Sequence, residues 1–162
     1  MQIKYAGKDR FEIKSKDVEI ILSGKVTING FVFPGPGEYE KGGVILNSFH
    51  DKDNAIHSAR VEEMNICHLG HIKHDLSEEE VKQIGDVDIL FLPLGQEESA
   101  DLKTALKILS KIDPRIVIPM LYDDLSDFKK SEGITDGELE MFKVKKSELP
   151  EEERQVIILR AS

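Results

Sequence analysis

Hydrophobic and polar residues alternate in short runs from the start of the chain to His68, and turn-forming residues separate the runs. Alternation with a period of two is typical of β-strands that bury one face. The pattern predicts strands at 3–5, 11–14, 18–22, 26–28, 31–33, 38–40, 44–47, 55–60 and 64–68. Because the breaks between them are short and contain the turn residues glycine, asparagine and proline, we expect an antiparallel meander.

The second half of the chain has a different period, which indicates helices between buried strands. Apolar runs at 87–93 and 115–120 flank a segment at 102–112 whose apolar residues form one helical stripe. This order predicts a β-α-β unit. A capping-box signature at Ser77 and Glu80 predicts a short helix before that unit.

Three further elements complete the predicted fold. Gly85 should end the capped helix, and a short acidic helix is expected at 123–132. Strands are expected at 140–144 and 155–159. The sum predicts an α/β or α+β sandwich, folded as one domain over 1–162.

The charge balance argues against nucleic acid as a partner. The chain has 31 acidic and 22 basic residues and a net charge of −9, which repels a phosphate backbone. Cys67 is the only cysteine, so no intrachain disulfide can form and a reducing compartment is expected. No apolar run approaches the roughly 20 residues that span a bilayer. We therefore predict a cytoplasmic protein without a membrane segment.

All five histidines fall between positions 50 and 74, and this window is the candidate metal site. His68, His71 and His74 follow a predicted strand at three-residue intervals, and His50 lies upstream in a loop with two aspartates. Neutral imidazole suits zinc, iron or manganese, and a stable site needs three or four protein ligands. The alternative is that these are loop histidines near the surface, or that His68 is a hydrogen-bonded strand residue, with His57 either at the plain surface or serving packing. Spacing alone favours this second interpretation.

Two other features invite a functional interpretation. Cys67 beside His68 would suit a thiol nucleophile, but neighbours along a strand point to opposite faces, so a buried structural cysteine is expected. The loop 95–99 lies between a strand and a helix of the β-α-β unit, where α/β proteins place ligands. This loop is a candidate pocket edge, although an ordinary connection is the simpler interpretation.

Five segments of the chain carry a family resemblance. They are Pro-Gly-Pro-Gly-Glu-Tyr-Glu at 34–40, Ser-Phe-His-Asp at 48–51, Ile-Cys-His-Leu-Gly at 66–70, the apolar run at 86–95 and Pro-Arg-Ile-Val-Ile-Pro-Met at 114–120. In this order they resemble the metallo-β-lactamase superfamily, and more narrowly its branch of small predicted zinc-dependent hydrolases related to the ascorbate-phosphate lactonase type. The resemblance implies an αββα sandwich with two mixed β-sheets and a metal site at one edge.

The same resemblance implies a set of metal ligands that this chain largely lacks. In the family, a His-x-His-x-Asp-His loop, a later histidine, an aspartate and a last histidine bind two metal ions that activate water. His50 matches the later histidine, whereas His71 replaces the aspartate and Leu121 replaces the last histidine. The histidine-rich loop is missing, because residues 23–24 lead directly from one predicted strand to the next. The resemblance therefore implies a shortened fold that has lost two-metal hydrolysis.

Two hypotheses about function follow. We predict a non-catalytic member of this fold, acting as a binding, regulatory or oligomerisation module, with no cofactor or with zinc at low occupancy. Loss of a helix would uncover sheet surface, so a homo-oligomer, or a complex with a complete relative, is expected through that face. The alternative is a metal-dependent hydrolase with a rearranged single-metal site, built from His50, His71 and one of His68 or His74.

Overall fold

The computed structural model describes residues 1–95 and 99–162 as two β-sheets and three α-helices. The strands, in chain order, are β1 (Gln2–Gly7), β2 (Arg10–Ser15), β3 (Val18–Leu22), β4 (Val26–Ile28), β5 (Phe31–Val32), β6 (Gly37–Lys41), β7 (Val44–Asp51), β8 (Asn54–Val61), β9 (Met64–His68), β10 (Ile89–Pro93), β11 (Ile116–Met120), β12 (Phe142–Lys143) and β13 (Gln155–Val156). The helices are α1 (Glu78–Ile84), α2 (Leu102–Ile112) and α3 (Ser126–Glu132). Most of the loop predicted as a pocket edge, at 96–98, lies outside the described residues.

The first sheet has the strand order β12-β1-β2-β3-β4-β5. We expected two mixed sheets, but every pairing in this one is antiparallel. The reason is that β1 to β5 are joined by short hairpins, which connect only antiparallel neighbours, while β12 returns from near the end of the second half and also pairs antiparallel with β1. Side chains alternate as predicted: Phe11 and Ile13 on β2 are buried, whereas Glu12 and Lys14 are exposed.

The second sheet has the strand order β13-β11-β10-β9-β8-β7-β6 and is mixed, as expected. Strands β6 to β9 form an antiparallel meander, and β9, β10, β11 and β13 run parallel. Helix α2 connects the parallel strands β10 and β11, which confirms the predicted β-α-β unit. The carboxyl end of β9 therefore lies next to the β7–β8 turn, where the candidate site is built.

Two hydrophobic clusters hold the layers together. The first lies between the sheets, where the Phe11 and Phe91 ring centroids are 4.3 Å apart. The second lies on the other face of the second sheet, where Cys67 packs with buried residues of all three helices. In the part of the chain that the structure describes, the helices cover this face only, and none of them is long and apolar enough to cross a membrane.

The capping box predicted for α1 is present. The Glu80 amide donates to Ser77 Oγ at 3.1 Å, and the Ser77 amide donates to Glu80 Oε1 at 2.9 Å. These two bonds satisfy backbone donors that the first helical turn leaves without partners. They also fix the position of the Glu80 carboxylate, which matters for the site described below.

Candidate functional site

A cleft of ≈ 610 Å³ lies where several strand connections meet. It is lined by the end of β7, the β7–β8 turn, the segment that follows β9, Asp9 of the β1–β2 turn and Gly24 of the β3–β4 turn. The predicted metal ligands His50, His71 and His74 all line it. The structure therefore brings three of the four predicted histidines to one surface.

Asn54 and Gly70 fix the segment that carries His71. Asn54 Nδ2 donates to the Leu69 carbonyl at 2.8 Å, and the His71 amide donates to Asn54 Oδ1 at 2.8 Å. Gly70 has φ 63°, and a Cβ on it would lie 2.6 Å from the Ala55 carbonyl oxygen. The family-like sequence His68-Leu69-Gly70 therefore ends in a tight turn, and only glycine fits at position 70.

His68, the fourth predicted ligand, is fully buried and does not line the cleft. The Gly70 amide donates to its Nδ1 at 3.2 Å, so the ring proton is on Nε2, which donates to the Asp9 carbonyl at 2.6 Å. Burial lowers the pKa of His68 to about 4, and the ring is neutral at physiological pH. Both ring nitrogens are occupied, which matches the alternative interpretation of His68 as a hydrogen-bonded strand residue.

The other histidines differ in how they are held. His71 Nε2 lies 3.3 Å from Asp9 Oδ2, and its side chain is half exposed. His50 is an exposed residue of β7. His57 is buried on β8, where its Nδ1 lies 2.7 Å from Ser48 Oγ and burial lowers its pKa. Of the two roles expected for His57, surface or packing, its burial agrees with packing.

Three side chains in and beside the cleft converge closely enough to hold a metal ion. Ligand atoms of Asp51, His74 and Glu80 all lie within 4.8 Å of one another. His74 Nδ1 donates to the Asp75 carbonyl at 2.7 Å, and His74 Nε2 faces Asp51 Oδ2 as an ion pair. The hydrogen bond to Asp75, together with the nearby Asp51 carboxylate, raises the pKa of His74.

The trio is predictable from the sequence only in part. The histidine spacing indicates His74, and the loop at His50 offers the aspartates beside it as possible oxygen donors. Glu80 carries only the signature of a capping residue, which is its local role. No spacing rule connects Asp51 with a helical residue 29 positions later, because their proximity depends on how α1 packs against the end of β7.

The residues at this edge do not fit a two-metal centre. Three residues close the β3–β4 hairpin, where the Ser23 amide donates to the Lys25 carbonyl at 3.1 Å and no room is left for a histidine loop. Leu121 has φ 57° and packs against the core between the sheets. Among the described residues, no three of His50, His68, His71 and His74 have ligand atoms within 4.8 Å of one another.

Two solved structures with this fold carry the names of metal-dependent hydrolases. A candidate zinc-dependent hydrolase of the metallo-β-lactamase superfamily from Thermotoga maritima superposes with a TM-score of 0.82 at 21% identity, over 99% of this chain and 100% of that chain. Igni18, a metallo hydrolase from Ignicoccus hospitalis, superposes with a TM-score of 0.65 at 15% identity, over 89% of this chain and 99% of that chain. At these identities the likeness shows a common fold, and the predicted fold class is confirmed.

Sequence comparisons place the chain in a family. UPF0173 protein PF0020 of Pyrococcus furiosus is 34% identical over 70 residues, which are 40% of this chain and only 32% of that protein. A family model described as the β-lactamase superfamily domain matches residues 20–121. This match covers more than half of the chain and includes every histidine of the cleft, and the chain therefore belongs to the β-lactamase superfamily.

Proposed function

We propose that this protein is a non-catalytic member of the superfamily and that the cleft beside the β7–β8 turn is a binding site. The observation that carries the proposal is the three-residue β3–β4 turn at 23–25, which stands where the family resemblance implies a metal-binding loop. Gly24 of this turn lines the cleft and offers no side chain for coordination. Without that loop, two metal ions would lack most of their ligands, and losing even one ligand weakens a metal site severely.

The proposal predicts no metal-dependent turnover. The full chain, first as purified and then with added ZnCl2, should hydrolyse p-nitrophenyl acetate, bis-p-nitrophenyl phosphate and nitrocefin no faster than buffer containing the same zinc. The physical reason is that the chain lacks most ligands of the two-metal centre that, as the family resemblance implies, activates water. Turnover that a chelator abolishes and that zinc restores would contradict the non-catalytic proposal.

A second candidate function is a hydrolase with one metal ion. The observation that favours it is the convergence of Asp51, His74 and Glu80, since three protein ligands and an open position suffice to activate water. The donor set predicted from the sequence, His50 and His71 with a third histidine, does not have its ligand atoms within 4.8 Å of one another. The turnover assay above separates the two functions, because metal binding without turnover favours the binding module.

The self-association expected from the sequence does not suit the outer face of the first sheet, which was expected to be uncovered by the loss of a helix. The outer face of the first sheet carries Lys4 opposite Glu12 and Lys14 opposite Glu19, and such oppositely charged cross-strand pairs are stable in water. Two of the four large apolar side chains that are exposed among the described residues lie next to each other on the edge strand β5, where Phe31 and Val32 are each 51% exposed; the other two, Ile45 and Leu139, lie elsewhere. We therefore place the proposed contact with a second copy, or with a complete relative, at β5.

This placement is tested by sedimentation equilibrium of the full chain. We expect a dimer at micromolar concentration, because an edge strand with exposed apolar side chains favours pairing with another strand. Val32→Lys should give a monomer, whereas the matched change Ile45→Lys on β7, where Ile45 is also exposed, should leave the dimer intact. A wild-type protein that stays monomeric at this concentration would exclude self-association.

A further inference from the structure

We infer that Asp51, His74 and Glu80 form a site for one divalent transition-metal ion, through ligands different from those that the superfamily resemblance implies. The inference deepens the proposed function, on which it rests for the role of the cleft, by giving the class of ligand that the cleft holds. Asp51 and His74 line the cleft, and Glu80 approaches them from the first turn of α1.

Asp51 supplies a buried oxygen that faces the His74 imidazole. It is the last residue of β7, and its side chain is 16% exposed. Its Oδ2 atom is buried, and apart from His74 Nε2, which faces it as an ion pair, it has no hydrogen-bond partner among the described residues. When the imidazole is neutral, this buried carboxylate oxygen is costly unless another cation compensates its charge.

Glu80 supplies a second oxygen of the same kind. Its Oε1 atom accepts the Ser77 amide of the capping box, which fixes the orientation of the carboxylate. Its Oε2 atom is buried and has no hydrogen-bond partner. The helix cap thus accounts for one oxygen of Glu80 and leaves the other directed toward the trio.

His74 supplies the nitrogen in the tautomer that metal binding requires. Its Nδ1 donates a proton to the Asp75 carbonyl, so in the neutral ring Nε2 carries a free lone pair. Hydrogen bonding of the distal ring nitrogen to a backbone carbonyl is how metal-ligating histidines are usually oriented. In the metal-free protein a proton between Nε2 and Asp51 would occupy the position that the ion takes.

The donor set selects the kind of ion. One imidazole and two carboxylates suit Zn²⁺ or Mn²⁺, whereas Mg²⁺ and Ca²⁺ prefer oxygen ligands alone. Tetrahedral zinc with ligands at about 2.0–2.2 Å needs donor atoms about 3.3 Å apart. The three donors already lie within 4.8 Å of one another, so small side-chain movements suffice. With the imidazole neutral, two carboxylates balance the charge of a divalent ion.

The test is isothermal titration of the metal-stripped full chain with ZnCl2, with MnCl2 and MgCl2 in separate experiments. We expect one equivalent of zinc per chain, weaker binding of manganese and no heat from magnesium. Glu80→Gln should weaken zinc binding at least about 10-fold. Glutamine at this position keeps the capping box, so helix α1 should remain intact. Glu79→Gln, an equal charge change at an exposed neighbour, should alter the affinity by less than about twofold.

The outcomes that overturn the inference are distinct from those that overturn the proposed function. Less than about a tenth of an equivalent of zinc, or equal affinities for Glu80→Gln and Glu79→Gln, would refute the site. Zinc binding that is lost in His50→Gln but kept in Glu80→Gln would do the same. If Glu80→Gln fails to fold by circular dichroism, Asp51→Asn replaces it. Turnover by the zinc-loaded protein would refute the non-catalytic proposal and leave the site standing.

Discussion

Replacing Gly70 by alanine is expected to lower the free energy of unfolding by about 3 kcal/mol and to displace His71 from the cleft. Gly70 has φ 63°, a left-handed conformation that costs a residue with a side chain about 1 kcal/mol or more. A Cβ there would lie 2.6 Å from the Ala55 carbonyl oxygen and also clash with Asn54 Oδ1. Moving Asn54 away would break its hydrogen bonds to Leu69 and His71.

Gly133→Ala is the matched control for this prediction. Gly133 has φ 66°, almost the value of Gly70, and a Cβ on it would meet no atom within 4 Å. Its substitution should therefore cost only the conformational penalty, about 1 kcal/mol. Urea unfolding at pH 7.5 measures both variants, and the amide resonance of His71 reports the loop. Equal losses of unfolding free energy in the two variants would contradict the prediction, because the contacts of Gly70 with Ala55 and Asn54 would then add nothing to the conformational penalty.

The fold could be predicted from the sequence wherever local patterns determine structure. Ser77 and Glu80 define the start of α1 through contacts within one helical turn, and the structure contains both bonds. The β10-α2-β11 unit follows from two apolar runs that flank an amphipathic helix. The expectation of two mixed sheets was wrong for the first sheet, because short hairpins join its strands β1 to β5 and β12 also pairs antiparallel with β1.

The candidate site was less predictable because long-range contacts assemble it. The histidine window correctly indicated the strand end and the turn that line the cleft. The environment of His68, in contrast, depends on Asp9, which is 59 residues away in sequence and accepts its ring proton. Glu80 reaches the trio only because α1 packs beside the end of β7. Sequence spacing gives no information on either contact.

His68 gives the protein a buried neutral group that acid can charge. Its ring lies about equally far from Phe11 and Phe91, at centroid distances of 6.2 and 6.0 Å. The titratable groups that face it are Asp9 of the β1–β2 turn, His57 of β8 and His71. Of these, the two histidines disfavour its protonation and Asp9 favours it, but burial has the largest influence on its pKa. Protonation of His68 therefore opposes folding.

Stability should fall by about 3 kcal/mol through His68 alone between about pH 6.5 and pH 4, because its pKa decreases from 6.5 in the unfolded chain to about 4 in the folded one. A depressed histidine pKa means that the unfolded chain binds the proton more tightly, so stability is complete above pH 6.5 and is lost as pH falls. Burial of His57 acts in the same direction, whereas the raised pKa of His74 acts in the opposite one. Urea unfolding across this range, for wild type and His68→Gln, measures the effect, and the variant should show a shallower pH dependence. If the variant does not fold, the ring resonances of wild-type His68 are followed instead, and a midpoint near 6.5 would contradict the prediction.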